Sequence, residues 1–343
     1  MSKPRIQKGL SYFTRFVRIS GVFVVLLVVS NSQILSPTVS ARSRAPLATL
    51  TFLATDPYAS TPKQTPRGQT LWTLEAYNGK LYIGYGDWGA NTGPIQIAPY
   101  DQATNSFSLE GTSQTQAIEN YRALLGTLYA PAIDGHLFGT TNYAKRSPTD
   151  ASWVDYDPEN PPWHTFDMTS LNGTDLWFVG TEGVDAVAWR SLDGGVTWQS
   201  APHTYSYGST DETYYFIGNY NGKIYLQASP DECTSEVFDG TTWTTGPNLL
   251  PGCPHAELTG FRPVDFAGKM VYYDREASRF NGVSGVYVFD GTKVQTLSNT
   301  LAISIFNVDG NYLYGATSAG IIYRTTDLEN WETLGGGGLA NGD

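Results

Sequence analysis

The sequence places aromatic rings, carboxylates, guanidinium groups and imidazoles where together they could bind or cleave a polar ligand. Trp88 and Tyr121 could stack on a sugar face, while Asp167 and Arg262 could hydrogen-bond to its hydroxyl or carboxylate groups. The candidate ligand-binding residues are Trp88, Asn120, Tyr121, Arg122, His164, Asp167, His255, Arg262, Asp274 and Arg275. No motif among them identifies a substrate, so their arrangement depends on the fold that positions them.

An internal repeat is marked by six glycines, each followed by an apolar or aromatic strand. They are Gly79, Gly126, Gly173, Gly222, Gly268 and Gly310. Their separations are 47, 47, 49, 46 and 42 residues, which is the length of one four-stranded propeller blade. Asn-Gly and Asp-Gly at such sites are typical of hairpin turns, because both residues tolerate positive φ. The repeat predicts an all-β fold, a six-bladed β-propeller of four-stranded antiparallel blades, with seven blades as the alternative.

A second turn follows 17 to 22 residues after the glycine in five of the six repeats. Its aspartates are Asp101, Asp193, Asp239, Asp290 and Asp327. We label the strands of a blade A to D outward from the channel, so the glycine turns join A to B and the aspartate turns join C to D. The second repeat departs from this pattern, which leaves its outer hairpin less defined.

The second turn of the third repeat carries a recognisable motif. It contains Ser191, Asp193, Gly195, Thr197 and Trp198 at the spacing S-x-D-x-G-x-T-W, which resembles the Asp-box of bacterial neuraminidase repeats. Such a turn is stabilised locally, because the Asp carboxylate accepts backbone N–H groups and Gly supplies the left-handed residue.

Asp327 and Trp331 look like a degraded copy of the same motif. The resemblance to Asp-box propellers covers residues 68–335. It implies a sialidase-like propeller whose boxes lie on the face opposite the ligand, so we expect a structural role for them.

Strand alternation predicts which side chains face the channel, because every second side chain of an innermost strand points the same way. The residues six before the repeat glycines are Thr73, Asn120, Asp167, Phe216, Arg262 and Ser304. The residues five before are Leu74, Tyr121, Met168, Ile217, Pro263 and Ile305. The first column is the more polar, so we expect it to line the channel, with Asp167 and Arg262 near the mouth. Glu75 and Arg122 should lie deeper.

The D–A connections and the B–C hairpins emerge together on one face of a propeller, where ligand-binding loops commonly gather. The candidates expected there are His164, His203 and His255 in connections, and Trp88, Asp274 and Arg275 in hairpins. A metal site of His164, Asp167 and His255 is a chemically reasonable alternative, but the spacing of these residues along the sequence does not show whether they meet. We predict no cofactor, with a structural cation as an option.

A sialidase would require three convergent arginines beside a tyrosine and a glutamate. Arg122, Arg262 and Arg275 could supply the clamp. However, the Phe-Arg-Ile-Pro signature expected in the first blade is missing, and Phe261 to Pro263 echo it only in the fifth. Any other glycoside hydrolase would need just two suitably spaced carboxylates.

The N-terminal residues have the layout of a secretory signal peptide. Basic residues precede an apolar run from Ile19 to Val29, and small residues near Ala41 offer a cleavage point. Removing residues 1–41 takes away five basic groups and leaves 21 − 5 = 16 Lys plus Arg against 32 Asp plus Glu. So acidic a surface would repel nucleic acid and anionic membranes. An uncleaved anchor is the alternative.

The only two cysteines, Cys233 and Cys253, lie in one repeat, and oxidising conditions outside the cell favour a disulfide between them. The predicted organisation is a signal peptide at 1–41, an extended segment at 42–68, the propeller at 69–338 and a tail at 339–343. A strand within residues 47–55 could close the ring.

Together these features predict an exported monomer that recognises a glycan or an extracellular protein. The alternatives are a sialidase-like glycoside hydrolase and an assembly propeller that takes no small ligand.

Overall fold

The computed structural model describes residues 24–26, 51–135, 141–157, 164–199, 202–205, 212–229, 233–250, 262–273, 286–297, 303–317 and 321–335. It confirms the predicted architecture: six four-stranded antiparallel sheets form a ring, which is a six-bladed β-propeller. Within the described residues, no helix has the length and apolar character needed to span a bilayer.

Strands β1 (Val24–Leu26) and β2 (Thr51–Ala54) precede the ring and pair with each other in a separate two-stranded sheet. They replace the ring-closing strand expected within residues 47–55. Every blade instead takes its four strands from one continuous stretch of chain. Contacts between side chains therefore have to join the last blade to the first.

The strands of each blade pair in the order A to D along the chain. Blade 1 comprises β3 (Thr73–Tyr77), β4 (Lys80–Gly84), β6 (Tyr100–Asp101) and β7 (Ser106–Phe107). Blade 2 comprises β9 (Arg122–Leu124), β10 (Thr127–Pro131), β11 (Tyr143–Arg146) and β12 (Val154–Tyr156). Blade 3 comprises β13 (His164–Thr169), β14 (Leu176–Glu182), β15 (Asp185–Ser191) and β16 (His203–Tyr205).

The other three blades follow the same plan. Blade 4 comprises β17 (Thr213–Tyr220), β18 (Lys223–Ser229), β19 (Glu236–Phe238) and β20 (Trp243–Thr245). Blade 5 comprises β21 (Val264–Phe266), β22 (Lys269–Tyr273), β23 (Val286–Phe289) and β24 (Val294–Thr296). Blade 6 comprises β25 (Ile303–Asp309), β26 (Tyr312–Thr317), β27 (Ile322–Thr325) and β28 (Glu332–Gly335).

Blade 1 also carries an insertion. A short 3-10 helix (Trp88–Ala90) follows β4, and β5 (Ile95–Ile97) pairs with β8 (Gly111–Ser113) as a two-stranded sheet beside the blade.

The core lies between neighbouring blades because strand alternation gives each sheet two apolar faces. In β18, Ile224 and Leu226 pack with Trp177 of blade 3, whereas Tyr225 packs with Phe289 of blade 5. Burying one such side chain contributes about 1.5–3 kcal/mol. Among the described residues, apolar clusters of this kind join blade 1 to 2, 2 to 3, 3 to 4, 4 to 5 and 5 to 6.

The A–B turns explain why glycine marks the repeat. Gly79 and Gly222 have φ of 74° and 70°, and Asn78 and Asn221 before them are also left-handed. In blade 6, however, Asp309 pairs with Tyr312, so Gly310 occupies the first turn position instead of the second. Columns counted back from Gly310 are therefore one residue out of register with the other blades.

Candidate functional site

Arg122 crosses the central channel. Its Nε and Nη2 donate to the two carboxylate oxygens of Asp167 in blade 3, at 2.6 and 2.5 Å. Its Nη1 donates to the carbonyl oxygen of Pro263 at 3.2 Å. Because Arg122 begins strand A of blade 2 and Pro263 precedes strand A of blade 5, the side chain links opposite sides of the ring.

Arg262 makes a second link, from blade 5 to blade 1. Its Nη1 donates to Thr73 Oγ1 at 3.1 Å and to the Leu74 carbonyl at 3.2 Å, and its Nη2 pairs with Glu75 Oε2. The backbone of Arg262 is left-handed, with φ of 36°, a conformation that costs a non-glycine residue energy. The bonds at its guanidinium group compensate for that cost.

Glu75, Arg122, Asp167 and Arg262 form what we call the channel network. Their side chains are 16%, 13%, 2% and 8% exposed, so the charges are largely shielded from water. Burial alone would lower the pKa of Arg122, but Asp167 beside it, with Glu75 and Tyr273, raises it above the ordinary value. Two acids and two guanidinium groups therefore balance one another inside the ring.

Three of the predicted ligand-binding residues belong to the channel network. Arg122, Asp167 and Arg262 do come together as expected, yet they bind one another and the backbone. Arg122 and Arg262 would have to give up these partners to clamp a substrate carboxylate. Arg275, the third arginine of the predicted clamp, lies outside the described residues.

Bulges in the innermost strands bring other side chains to the channel. The pairing register shifts between Thr165 and Asp167 in β13 and between Tyr214 and Phe216 in β17. Each bulge holds one extra residue, Phe166 in blade 3 and Tyr215 in blade 4. A bulge changes the direction of the side chains around it, and both rings are half-buried.

Phe166 and Tyr215 contact each other, with ring centroids 4.4 Å apart and planes inclined by 57°. His164 stacks on Phe166 at a centroid distance of 5.8 Å with planes inclined by 30°, and its Nδ1 faces the carboxylate of Asp134. Asn120 Nδ2 donates to the Phe166 carbonyl at 3.3 Å. We call Asn120, Asp134, His164, Phe166 and Tyr215 the aromatic mouth.

The aromatic mouth opens on the upper face, where the A strands begin. Along β13, Phe166 immediately precedes Asp167 of the channel network. The aromatic pair therefore lies above a floor of paired charges. The side chains of Arg122 and Asp167 in this floor are only 13% and 2% exposed.

Acidic residues border the aromatic mouth on the side of blade 3. His164 pairs with Thr181 in the sheet, next to Glu182. Glu182 and Asp185 flank the B–C hairpin of that blade. Partial burial raises the pKa of Glu182, and the like charge of Asp185 raises it further.

Several predicted site residues lie elsewhere. Tyr121 is not a ligand platform, because it is fully buried in the core with its ring 5.8 Å from Tyr82 and 6.0 Å from Trp153. Trp88 lies in the short helix, where the Arg67 guanidinium stacks on its ring at 4.6 Å. His255, Asp274 and Arg275 lie outside the described residues.

Phe216 also differs from the expectation for the six-back column, since it packs against Tyr272 in the core between blades 4 and 5. Ser304 is the bulge residue of β25. His164 and His203 lie in strands, not in the D–A connections expected for them. His203 stacks on Trp243 at 3.8 Å.

The turn around Asp193 has the hydrogen bonds that its sequence predicts. The carboxylate accepts the N–H groups of Val196 and Thr197 at 3.0 and 2.8 Å, and Ser191 Oγ accepts the N–H of Gly195 at 2.7 Å. The Thr197 hydroxyl and backbone lower the pKa of Asp193 to about 2.

Around Asp327 the pattern is similar, with N–H groups of Glu329 and Asn330 at 2.9 and 2.8 Å. Trp198 packs on Phe178 at 4.6 Å, and Trp331 Nε1 donates to a backbone carbonyl in its own turn. Both turns join strands C and D, so they lie on the face opposite the aromatic mouth. Their contacts are structural.

The pair of Phe166 and Tyr215 was not predicted from the sequence, although the sequence contains a signal for it. The residue seven before the repeat glycine is aromatic in four repeats: Trp72, Phe166, Tyr215 and Phe261. Trp72 is buried and donates through Nε1 to the Gly86 carbonyl at 2.7 Å. Strict alternation assigns this column to the core, and only the bulges bring Phe166 and Tyr215 to the mouth.

Cys233 is disulfide-bonded, while Cys253, its predicted partner, lies outside the described residues. In the part of the chain that the structure describes, no group of three or more His, Cys, Asp or Glu side chains could hold a metal ion.

No protein-family model and no curated protein matches the chain. A chain in the crystal structure of a mitotic checkpoint complex is similar, with a TM-score of 0.54 at 8% identity over 97% of this chain and 96% of that one. A putative 6-phosphogluconolactonase from Bacteroides uniformis has a TM-score of 0.48 at 11% identity, over 84% and 88%.

A structure of YCF48 bound to D1 peptide has a TM-score of 0.33 at 17% identity, and covers 49% of this chain and 52% of its own. The chain thus spans about half the length of that protein. The similarity over nearly the whole chain to the checkpoint-complex structure supports the overall fold and nothing beyond it.

Proposed function

We propose that this protein is an exported recognition propeller that binds a glycan or an extracellular protein at its aromatic mouth. One observation carries the proposal. Phe166 and Tyr215 form a half-buried ring pair on the innermost strands, above a floor of charges that already have partners. Aromatic pairs of this kind bind sugar faces and apolar peptide side chains.

The charge distribution is better suited to binding than to sialoside hydrolysis. Arg122 and Arg262 are engaged by Asp167 and Glu75, so a substrate carboxylate would have to compete with carboxylates that are already in place. Release of a fluorogenic aglycone from a sialoside by the purified protein would contradict the binding proposal and favour the hydrolase alternative. Relationship to the Asp-box propellers is part of the proposal, supported by the hydrogen-bonded turn of Asp193.

The direct test is to screen the purified mature chain on a glycan array and a peptide array, then to measure affinity for the best ligand. The double variant Phe166→Ala/Tyr215→Ala should weaken binding roughly 10- to 100-fold, as loss of a central aromatic anchor does. Tyr312→Ala is the matched control, because Tyr312 is a half-buried tyrosine at the opposite end of blade 6, beneath Arg324.

Two results would contradict the proposal. One is equal affinity of the wild type and the Phe166/Tyr215 variant. The other is the absence of any ligand on either array, which would favour an assembly propeller that takes no small ligand. Export is tested separately by N-terminal sequencing of protein recovered from outside the cytoplasm, where loss of residues 1–41 is expected.

A further inference from the structure

The upper face of blades 2 to 4 has an unusual charge composition. The described residues that connect strands on this face are 114–121, 132–135, 141–142, 157, 182–185, 212 and 233–235. They include Glu119, Asp134, Asp157, Glu182, Asp185 and Glu212, and no Lys or Arg. This sector is therefore more one-sided in charge than the chain as a whole, in which 21 Lys plus Arg accompany 32 Asp plus Glu.

Hydrogen bonds and sheet pairing place several of these acids around the aromatic mouth. Glu119 adjoins Asn120, whose amide donates to the Phe166 carbonyl. Asp134 faces the imidazole of His164. On the far side of His164, the blade 3 hairpin carries Glu182 and Asp185.

Glu212 lies beneath the tip of that hairpin, because its backbone N–H donates to the Val184 carbonyl at 3.0 Å and the residue is fully buried. Val184 itself is 48% exposed. Glu119 and Asp134 are also largely buried, at 4% and 8% exposed, so among these acids it is Glu182 and Asp185 that a partner could reach.

These acids differ from those of the channel network. Asp167 and Glu75 each face an arginine, whereas Glu182 and Asp185 lie next to each other across the B–C hairpin and repel each other. A cationic partner would relieve that repulsion, and a neutral sugar would not. The aromatic pair adds a requirement for an apolar or aromatic group close to the cation.

Building on the proposed function, we propose that the occupant of the aromatic mouth is a cationic peptide segment. It would place an aromatic or aliphatic side chain against Phe166 and Tyr215, and flanking lysines or arginines against Glu182 and Asp185. Charge complementarity supports this occupant, because the rings would anchor its apolar side chain and the carboxylates would select for its cations.

The test is fluorescence anisotropy with three labelled peptides of equal length. The first carries lysines and arginines on both sides of one tyrosine, the second replaces the basic residues by glutamates, and the third replaces the tyrosine by alanine. The first peptide should bind, with an affinity that falls as NaCl is raised. The second should not bind, and the third should bind at least several-fold more weakly.

Removing the charges of Glu182 and Asp185 should weaken binding without disturbing the fold. Glu182→Gln/Asp185→Asn is expected to reduce affinity for the cationic peptide by about 3- to 10-fold, since each exposed charge pair contributes modestly. Glu329→Gln is the control, because Glu329 is an exposed acid of the C–D turn in blade 6, on the opposite face. It should leave affinity unchanged.

The outcomes separate this inference from the proposed function. If a glycan or an uncharged peptide binds and Phe166→Ala/Tyr215→Ala abolishes that binding, recognition stands and the cationic occupant is wrong. Equal losses in the Glu182/Asp185 and Glu329 variants would mean non-specific attraction to an acidic protein, which also overturns the inference. If the Phe166/Tyr215 variant binds every ligand as the wild type does, the proposed function fails as well.

Discussion

Replacing Arg262 by methionine should destabilise the ring strongly, because this side chain joins blade 5 to blade 1. The guanidinium group is 8% exposed, pairs with Glu75, and donates to Thr73 and Leu74. Removing one member of such a buried pair costs about 3–5 kcal/mol, since the other charge stays buried without compensation. For a domain of this size, that loss lowers the melting temperature by roughly 6–20 °C.

Calorimetry and urea unfolding measure this loss, and two further variants make the result interpretable. Arg324→Met removes an arginine that is 13% exposed but whose partner, Glu332, is 41% exposed and stays hydrated, so it should cost less than Arg262→Met. Glu75→Gln/Arg262→Met should recover part of the loss, because no unpaired charge remains. Equal losses in Arg262→Met and Arg324→Met, or no recovery in the double variant, would refute the assignment of Arg262 as a cross-ring link.

Three more predictions concern stability. Burial raises the pKa of Asp56 from 3.8 to about 6, so the free energy of unfolding should decrease as the pH rises through about 6. Asp56→Asn should abolish this pH dependence and raise the free energy of unfolding by about 3 kcal/mol at pH 8, measured by thermal unfolding. Cys233→Ser should lower the free energy of unfolding by about 3 kcal/mol, and a melting temperature unaffected by reductant would contradict this. Gly180→Ala should destabilise by about 1–3 kcal/mol, because a Cβ there would lie 1.7 Å from the His164 carbonyl oxygen; Gly89→Ala, whose nearest contact is 3.4 Å, is the control in the same denaturation assay.

The fold was predictable because its signals are local. Left-handed turn positions such as those of Gly79 and Gly222 favour glycine, so the even spacing of these glycines reports the blade length directly. The predicted register of blade 6 was wrong by one residue, and the cause is equally local. Gly310 is also left-handed but occupies the other position of its turn, and the sequence pattern does not distinguish the two.

The candidate site was predictable only in part. Asn120 and His164 lie beside the Phe166 and Tyr215 rings, although His164 belongs to a strand and not to the predicted connection. Arg122, Asp167 and Arg262 all lie near the axis, where the repeat register had placed them. Register gives a residue's height along a strand. The repeat register does not predict the contacts of Arg122 with Asp167 and Pro263, because a long side chain can bind groups that are far apart in the sequence.

The amino-acid sequence by itself therefore determined the repeat, the turn chemistry and the alternating apolar faces, because each depends on backbone conformation and burial over a few residues. Tertiary structure decided which side chains the upper face presents. The bulges at Phe166 and Tyr215 shift strand register by one residue, and a one-residue shift exchanges the two faces of a strand. Such a shift depends on packing between blades, which exists only once the ring has closed.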